Sequence, residues 1–159
     1  MQVGDLAPDV ELPDQTGSVR RLSELAAGRR TVLFFYPSAM TTGCTKEACH
    51  FRDLAGAFDA QGAQRVGISM DPVDKQARFA TTHGFDYPVL SDADGAVARE
   101  FGVKRPLNIL RTKRATFVLD EDRRVLSVFR SETNMDAHAD RALEVLAATP
   151  RHAAGPSEG

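Results

Sequence analysis

Among 159 residues there are only two cysteines, no long apolar run and almost no charge surplus. Each shortage excludes a class of protein. Two cysteines do not make the disulfide framework that small secreted domains depend on. Twenty Lys and Arg against 22 Asp and Glu leave a net charge of −2. The chain therefore lacks the basic footprint of a nucleic-acid binder or a patch for acidic lipid. No aliphatic or aromatic run approaches the length that spans a bilayer. The first residues, Met1-Gln2-Val3-Gly4-Asp5, carry neither a basic region nor an apolar stretch, so no signal peptide is expected. A zinc site needs four ligands at close, paired spacings, whereas His50, His83, His138 and His152 are scattered. Asp92-Ala93-Asp94-Gly95 lacks the regular ligand positions of a calcium loop and reads as a turn and helix cap. The expectation is a cytoplasmic protein with reduced thiols that needs no metal or cofactor and binds neither nucleic acid nor membrane.

What is present alternates between strand and helix. Val10-Glu11-Leu12 and Ser18 to Leu22 flank the turn-rich Asp14-Gln15-Thr16-Gly17 and predict an N-terminal β-hairpin. Ser23 is placed to cap a short helix through Ala27, closed by Gly28. Thr31 to Tyr36 is a continuous β-branched and aromatic run, the pattern of a strand buried on both faces, and Pro37 stops it. From Thr42 to Ala60 the spacing is helical, with Cys44, Ala48, Phe51, Ala55 and Phe58 in one stripe. Arg65 to Met70 and Tyr87 to Leu90 read as strands, Val73 to His83 and Gly95 to Phe101 as helices. Ala115 to Leu119 and Val125 to Arg130 form a second hairpin, and a last helix starts at Asp136. The composition fits one domain over residues 1–149, with a flexible tail over 150–159. A βαβ arrangement followed by a hairpin and a helix predicts an α/β thioredoxin-like fold, a mixed central sheet flanked by helices.

The two cysteines fall at one strand-to-helix junction, Cys44 at its start and Cys49 five residues on. A thiol there meets unpaired backbone N–H groups and the positive end of a helix dipole, both of which favour thiolate. Ionisation alone is a small lever: a free thiol of pKa ~8.5 is about 3% thiolate at pH 7, so complete ionisation gains roughly 30-fold. A dedicated catalyst needs groups that stabilise the transition state as well. Thr41 can cap the helix and offer its hydroxyl to a substrate, and Gly43 leaves the amides around Cys44 open to approach. A fixed arginine would complete the site, because its planar fork reaches two oxygens together. Glu47 and Asp53 read as the solvated face of the helix.

Pro37, Thr41 and Cys44 match the Pro-x-x-x-Thr-x-x-Cys signature of peroxiredoxins. The run from Phe35-Tyr36-Pro37 to Cys49-His50-Phe51-Arg52-Asp53 resembles the peroxiredoxin Q, or bacterioferritin-comigratory, branch, which carries its second cysteine five residues after the first. Gly67 to Asp71, Leu90-Ser91-Asp92 and Arg114 to Val118 fall in family order, so the resemblance covers most of the chain. One departure is Thr42, where the family more often has proline. The resemblance implies a thiol peroxidase in which Cys44 attacks hydrogen peroxide or an organic hydroperoxide and becomes a sulfenic acid. It makes Cys49 the resolving cysteine and a thioredoxin-like dithiol the reductant. It assigns the site arginine to Arg114, with Arg105, Arg111 and Lys113 as surface charges, and it favours a monomer. Cys49 lies off the apolar stripe, which suits an accessible thiol.

Two rivals differ in class. A thioredoxin-like disulfide oxidoreductase would use Cys-x-x-Cys, absent here, and a proline where the chain has Ala115 before Thr116. A non-enzymatic binding module would leave Cys44 incidental. The spacing adds a constraint: residues five apart in a helix have Cα atoms roughly 8–9 Å apart and point about 140° apart. A disulfide needs them within about 7 Å. If Cys49 bonds to Cys44, the helix from about Thr42 to Arg52 must unwind.

Overall fold

The computed structural model describes residues 1–106 and 112–151. A five-stranded sheet has the spatial order β5-β4-β3-β6-β7. Its strands are β3 (Arg30–Phe35), β4 (Ala63–Ser69), β5 (Val89–Ser91), β6 (Ala115–Leu119) and β7 (Val125–Arg130). β3 pairs parallel with β4, and β4 with β5, while β6 and β7 are antiparallel additions on the other side of β3. The sheet is therefore mixed, as expected. The N-terminal hairpin is also present, β1 (Glu11–Pro13) against β2 (Val19–Arg21).

The apolar run in β3 is explained by the two layers it feeds. Leu33 and Phe35 enter a core with Leu22 and Leu25 of α1 (Leu22–Ala26) and Val97 and Ala98 of α5 (Ala96–Glu100). Val32, Phe34 and Tyr36 point to the opposite core, under α2 (Thr42–Asp53), α3 (Ala55–Ala60), α4 (Val73–His83) and α6 (Met135–Ala148). Every residue of β3 is buried, because a central strand covered on both faces has no solvent side.

Three expectations need correction. The helix expected over Thr42 to Ala60 is two helices, divided at Leu54, whose backbone (φ −94°, ψ 19°) leaves the helical region; Gly56 just beyond adds little helical preference. Ser23 does not cap α1: it lies inside the helix, and Asp9 supplies the cap from a distance, accepting from the Ser23 amide at 2.8 Å and its hydroxyl at 2.7 Å. The last helix starts at Met135, capped by Asn134, whose side chain accepts from the Ala137 amide at 3.3 Å. Asp92 does act as a cap, accepting from the amides of Val97 and Ala98 at 3.1 and 2.8 Å. Of the expected tail, residues 152–159 lie outside the described residues, as does Arg111. Among the described residues no helix is long and apolar enough to cross a membrane.

Candidate active site

The register of the sheet assembles the site. Phe35, the last residue of β3, lies opposite Ala115, the first of β6, so Arg114 sits beside the carboxyl end of β3. There the chain turns through residues 37–41 into α2. Thr112 ties the approach of β6 to the same point, donating from its hydroxyl to the Tyr36 carbonyl at 3.0 Å. The turn itself is held from β4. The fully buried Asp71 accepts from the Ala39 amide at 2.6 Å and the Ser69 hydroxyl at 2.7 Å, and pairs with Lys75 at 3.2 Å. These contacts support Met40 in a left-handed conformation, φ 69°, which costs a non-glycine residue on the order of 1 kcal/mol or more. Pro37 is half-buried at the foot of this turn.

Thr41 occupies the N-cap position of α2, but its side chain caps no helix amide, contrary to expectation. It donates instead to the Ser38 carbonyl at 2.8 Å. With that proton engaged, the hydroxyl oxygen of this exposed residue presents lone pairs outward. Gly43 stands beside Arg114 and Met135: a Cβ on it would lie 3.0 Å from Met135 Cε and 3.4 Å from Arg114 Nη2. A side chain here would crowd the approach to Cys44.

Cys44 is 1% exposed, and its Sγ accepts from Arg114 Nη2 at 3.4 Å. The other arm of the fork, Nη1, donates to Glu47 Oε1 at 2.6 Å. Arg114 is itself buried, and its backbone N–H donates to Glu132 at 3.0 Å. Burial works against the guanidinium charge, but Glu47 and Cys44 beside it outweigh that and raise its pKa. Arg105 pairs with Glu132 at 3.2 Å and Lys113 is exposed, so neither competes for Cys44.

Glu47 corrects the expectation of a solvated helix face. Its side chain is fully buried, and burial pushes its pKa up to about 8 in spite of Arg114. Asp53, by contrast, is exposed as expected. His138, one of the four histidines scattered along the sequence, is also part of the site. From α6 its Nδ1 lies 2.7 Å from the Thr116 hydroxyl and 3.5 Å from Glu47 Oε2, while Nε2 lies 2.9 Å from the Ser131 carbonyl. Burial holds its pKa below the usual histidine range. A signal for Glu47 did exist, since residues three apart share a helix face and Cys44 is on the buried one. Nothing local marks His138, which reaches the site only because α6 packs beside α2.

Cys49 is half-buried, and burial pushes its thiol pKa up. Both cysteines are free thiols in one unbroken helix. Among the described residues no cluster of His, Cys, Asp and Glu could hold a metal ion.

Residues 3–128 match the AhpC/TSA family. The chain is 62% identical to peroxidoxin BcpB of Mycobacterium tuberculosis, covering 94% of this chain and 99% of that structure with a TM-score of 0.90. This chain is a peroxiredoxin. Its branch follows from further relatives. Chloroplastic peroxiredoxin Q of Gentiana triflora is 36% identical over 143 residues, 90% of this chain and 65% of the relative. The bacterioferritin comigratory protein of Xanthomonas campestris is 33% identical, with a TM-score of 0.83 over 93% of this chain and 98% of that one. The peroxiredoxin thus belongs to the peroxiredoxin Q branch and has the thioredoxin-like fold. It is a thiol peroxidase with two cysteines, whose substrate is a hydroperoxide and whose reductant is a thiol. The binding-module and disulfide-oxidoreductase rivals fall with that assignment.

Proposed function

We propose that Cys44 is the peroxidatic nucleophile and Cys49 the resolving thiol of a peroxidase acting on hydrogen peroxide and organic hydroperoxides. The observation that carries this is the Arg114 guanidinium donating to Cys44 Sγ at 3.4 Å, at the start of α2. The Cys44 thiolate attacks the terminal oxygen of ROOH, an S–O bond forms, the O–O bond breaks, and RO⁻ leaves to take up a proton as alcohol or water. Thr41 accepts a hydrogen bond from the hydroperoxide O–H through lone pairs left free by its bond to Ser38. Arg114 and the first amides of α2, which have no intrahelical acceptor, stabilise charge on the departing oxygen. The activity described for the Xanthomonas campestris relative, alkyl peroxide reduction, supports a site open to organic hydroperoxides.

Oxidised Cys44 is a sulfenic acid, the reversible first rung of thiol oxidation. Cys49 condenses with it, forming the S–S bond and releasing water, and a thioredoxin-like dithiol in the cytoplasm reduces the disulfide by exchange. In the intact helix the two thiols cannot meet, so unwinding of α2 precedes resolution. The test is rapid-quench oxidation of reduced protein followed by mass mapping. Wild type is expected to form an intramolecular Cys44–Cys49 disulfide. Cys49→Ser is expected to react once, accumulate a dimedone-trappable sulfenic acid at Cys44, and lose turnover supported by thioredoxin. Unchanged turnover in Cys49→Ser would overturn the two-cysteine reading.

A further inference from the structure

Among the described residues one cation in this site, Arg114, faces two acids and a base, all out of water. Glu47 and His138 are fully buried, Cys44 is 1% exposed and Arg114 is 5% exposed. Arg114 divides its fork, Nη1 to Glu47 Oε1 and Nη2 to Cys44 Sγ. If both acids were ionised beside a neutral His138, the site would hold two anions on one buried cation. The hydrogen bonds also restrict His138. The Ser131 carbonyl can only accept, so Nε2 carries a proton, and in the neutral ring Nδ1 is an acceptor for the Thr116 hydroxyl. The lone pair of Nδ1 then lies 3.5 Å from Glu47 Oε2, a buried oxygen with no hydrogen-bond partner among the described residues. A bare carboxylate oxygen facing a ring lone pair is an unfavourable arrangement. A proton between them removes it, the Thr116 hydroxyl turning its own hydrogen away so that the one Nδ1 lone pair is free for that proton.

Taking Cys44 as the nucleophile and Arg114 as its cation, we propose that Glu47 and His138 hold one proton between them, and that this proton keeps the Arg114 charge available to Cys44 and its substrate. With the proton in place, Glu47 accepts from Arg114 through Oε1 as a neutral acid, or as half of a neutral Glu–His pair. The guanidinium charge is then undivided. With the proton lost, Glu47 becomes an anion that competes with the sulfur and the departing oxygen for the same cation. Glu47 and His138 are thus positioning residues that act through Arg114. The direction of both titrations agrees: burial raises Glu47 and lowers His138, so a proton shared by the two resides mainly on the carboxyl. The other groups facing the pair are Glu132, from the connection between β7 and α6, which raises Glu47 further and is itself paired with Arg105, and Tyr87, whose hydroxyl donates to the Ala48 carbonyl at 2.7 Å.

The pH profile of Cys44 oxidation tests this in a Cys49→Ser background, where a single thiol reacts. Rates with hydrogen peroxide are read by rapid quench, dimedone capture and mass spectrometry from about pH 5.5 to 9.5. The background protein is expected to show a falling limb of about tenfold per pH unit above the loss of the shared proton. Glu47→Gln, whose amide imitates the protonated acid, is expected to lose the falling limb. His138→Asn places a donor where an acceptor stood and favours the carboxylate, so its falling limb is expected about half a pH unit or more lower. Superimposable profile shapes, including a Glu47→Gln protein merely slower at every pH, would overturn the shared proton, as would a background protein with no falling limb. Should Glu47→Gln not fold, the shift in His138→Asn decides by itself. Oxidation of Cys44 no faster than an ordinary free thiol, at every pH, would instead refute the assignment of the nucleophile.

Discussion

Replacing Glu47 with Gln should change the pH dependence of stability by an amount the structure sets. The folded protein holds the Glu47 proton up to about pH 8 because the side chain is fully buried, whereas the unfolded chain releases it near the ordinary glutamate value of 4.5. A carboxyl raised in this way binds more protons folded than unfolded throughout that window. Its contribution to stability is therefore intact below about pH 4.5, is lost progressively as pH rises, and levels off above about pH 8. One pKa unit corresponds to about 1.4 kcal/mol, so the loss amounts to about 3 kcal/mol at pH 7 and about 5 kcal/mol at pH 9. Glutamine cannot titrate. Relative to wild type, Glu47→Gln should gain stability by that increment as pH rises, on top of a constant offset from exchanging the hydrogen bond to Arg114. His138, depressed by burial, weakens the fold in the opposite direction, as pH falls through its unfolded value; Glu47→Gln leaves that burial in place, so only its coupling to Glu47 enters the difference. Urea unfolding of the reduced proteins, followed by circular dichroism at intervals between pH 4.5 and 9, measures the two curves. A difference that stays constant to within about 1 kcal/mol over that range would refute a buried, proton-holding Glu47.

Arg114→Ala should lower the rate of Cys44 oxidation by about 10²–10³, the usual cost of removing one preorganised donor from a developing oxyanion, as measured by rapid quench with hydrogen peroxide. Arg114→Lys should lose nearly as much, since a point charge cannot reach Cys44 and Glu47 together; a loss under about tenfold in both would pass the role to another cation. On forming the Cys44–Cys49 disulfide, amides of Thr42 to Arg52 should lose hydrogen-exchange protection while Ala55–Ala60 keeps it, and equal protection in both redox states would count against unwinding. Phe51, fully buried and stacked on Phe34 with ring centroids 4.1 Å apart, anchors the far end of α2; Phe51→Ala should cost about 3–5 kcal/mol in urea unfolding, and a cost below about 1 kcal/mol would show that the stack is not what holds the helix.

The fold was largely legible because its signals are local. The β3 run, the glycine-closed helix α4 and the hairpin of β6 and β7 each announce themselves by periodicity and turn residues, and their order admits few topologies. Where the structure departs from expectation, the deciding contact is remote in sequence or supplied by a neighbouring turn. Asp9 caps α1 from fourteen residues away, so Ser23 looked like the cap it is not. Thr41 has the right residue type at the N-cap, but the turn after β3 carries the Ser38 carbonyl within reach of its hydroxyl, and that acceptor wins.

The same division runs through the active site. By itself the sequence determined where the two cysteines lie, the threonine and glycine beside Cys44 and the five-residue interval to Cys49, because all of these sit on one strand-turn-helix segment whose chemistry is a matter of spacing. From that interval alone it also followed that a Cys44–Cys49 disulfide would demand an unwound helix. Arg114 could be named from resemblance, but only the pairing of Phe35 with Ala115 gives the physical reason it lies beside Cys44, seventy residues away. Glu47 carries a faint signal, three residues after Cys44 on one helix face, but its burial and the approach of His138 needed the tertiary structure. A glutamate on a helix is solvated or buried according to what packs over it, and here α6 closes over α2 and brings a histidine with it. Burial, not residue type, turned an apparent surface charge into a held proton.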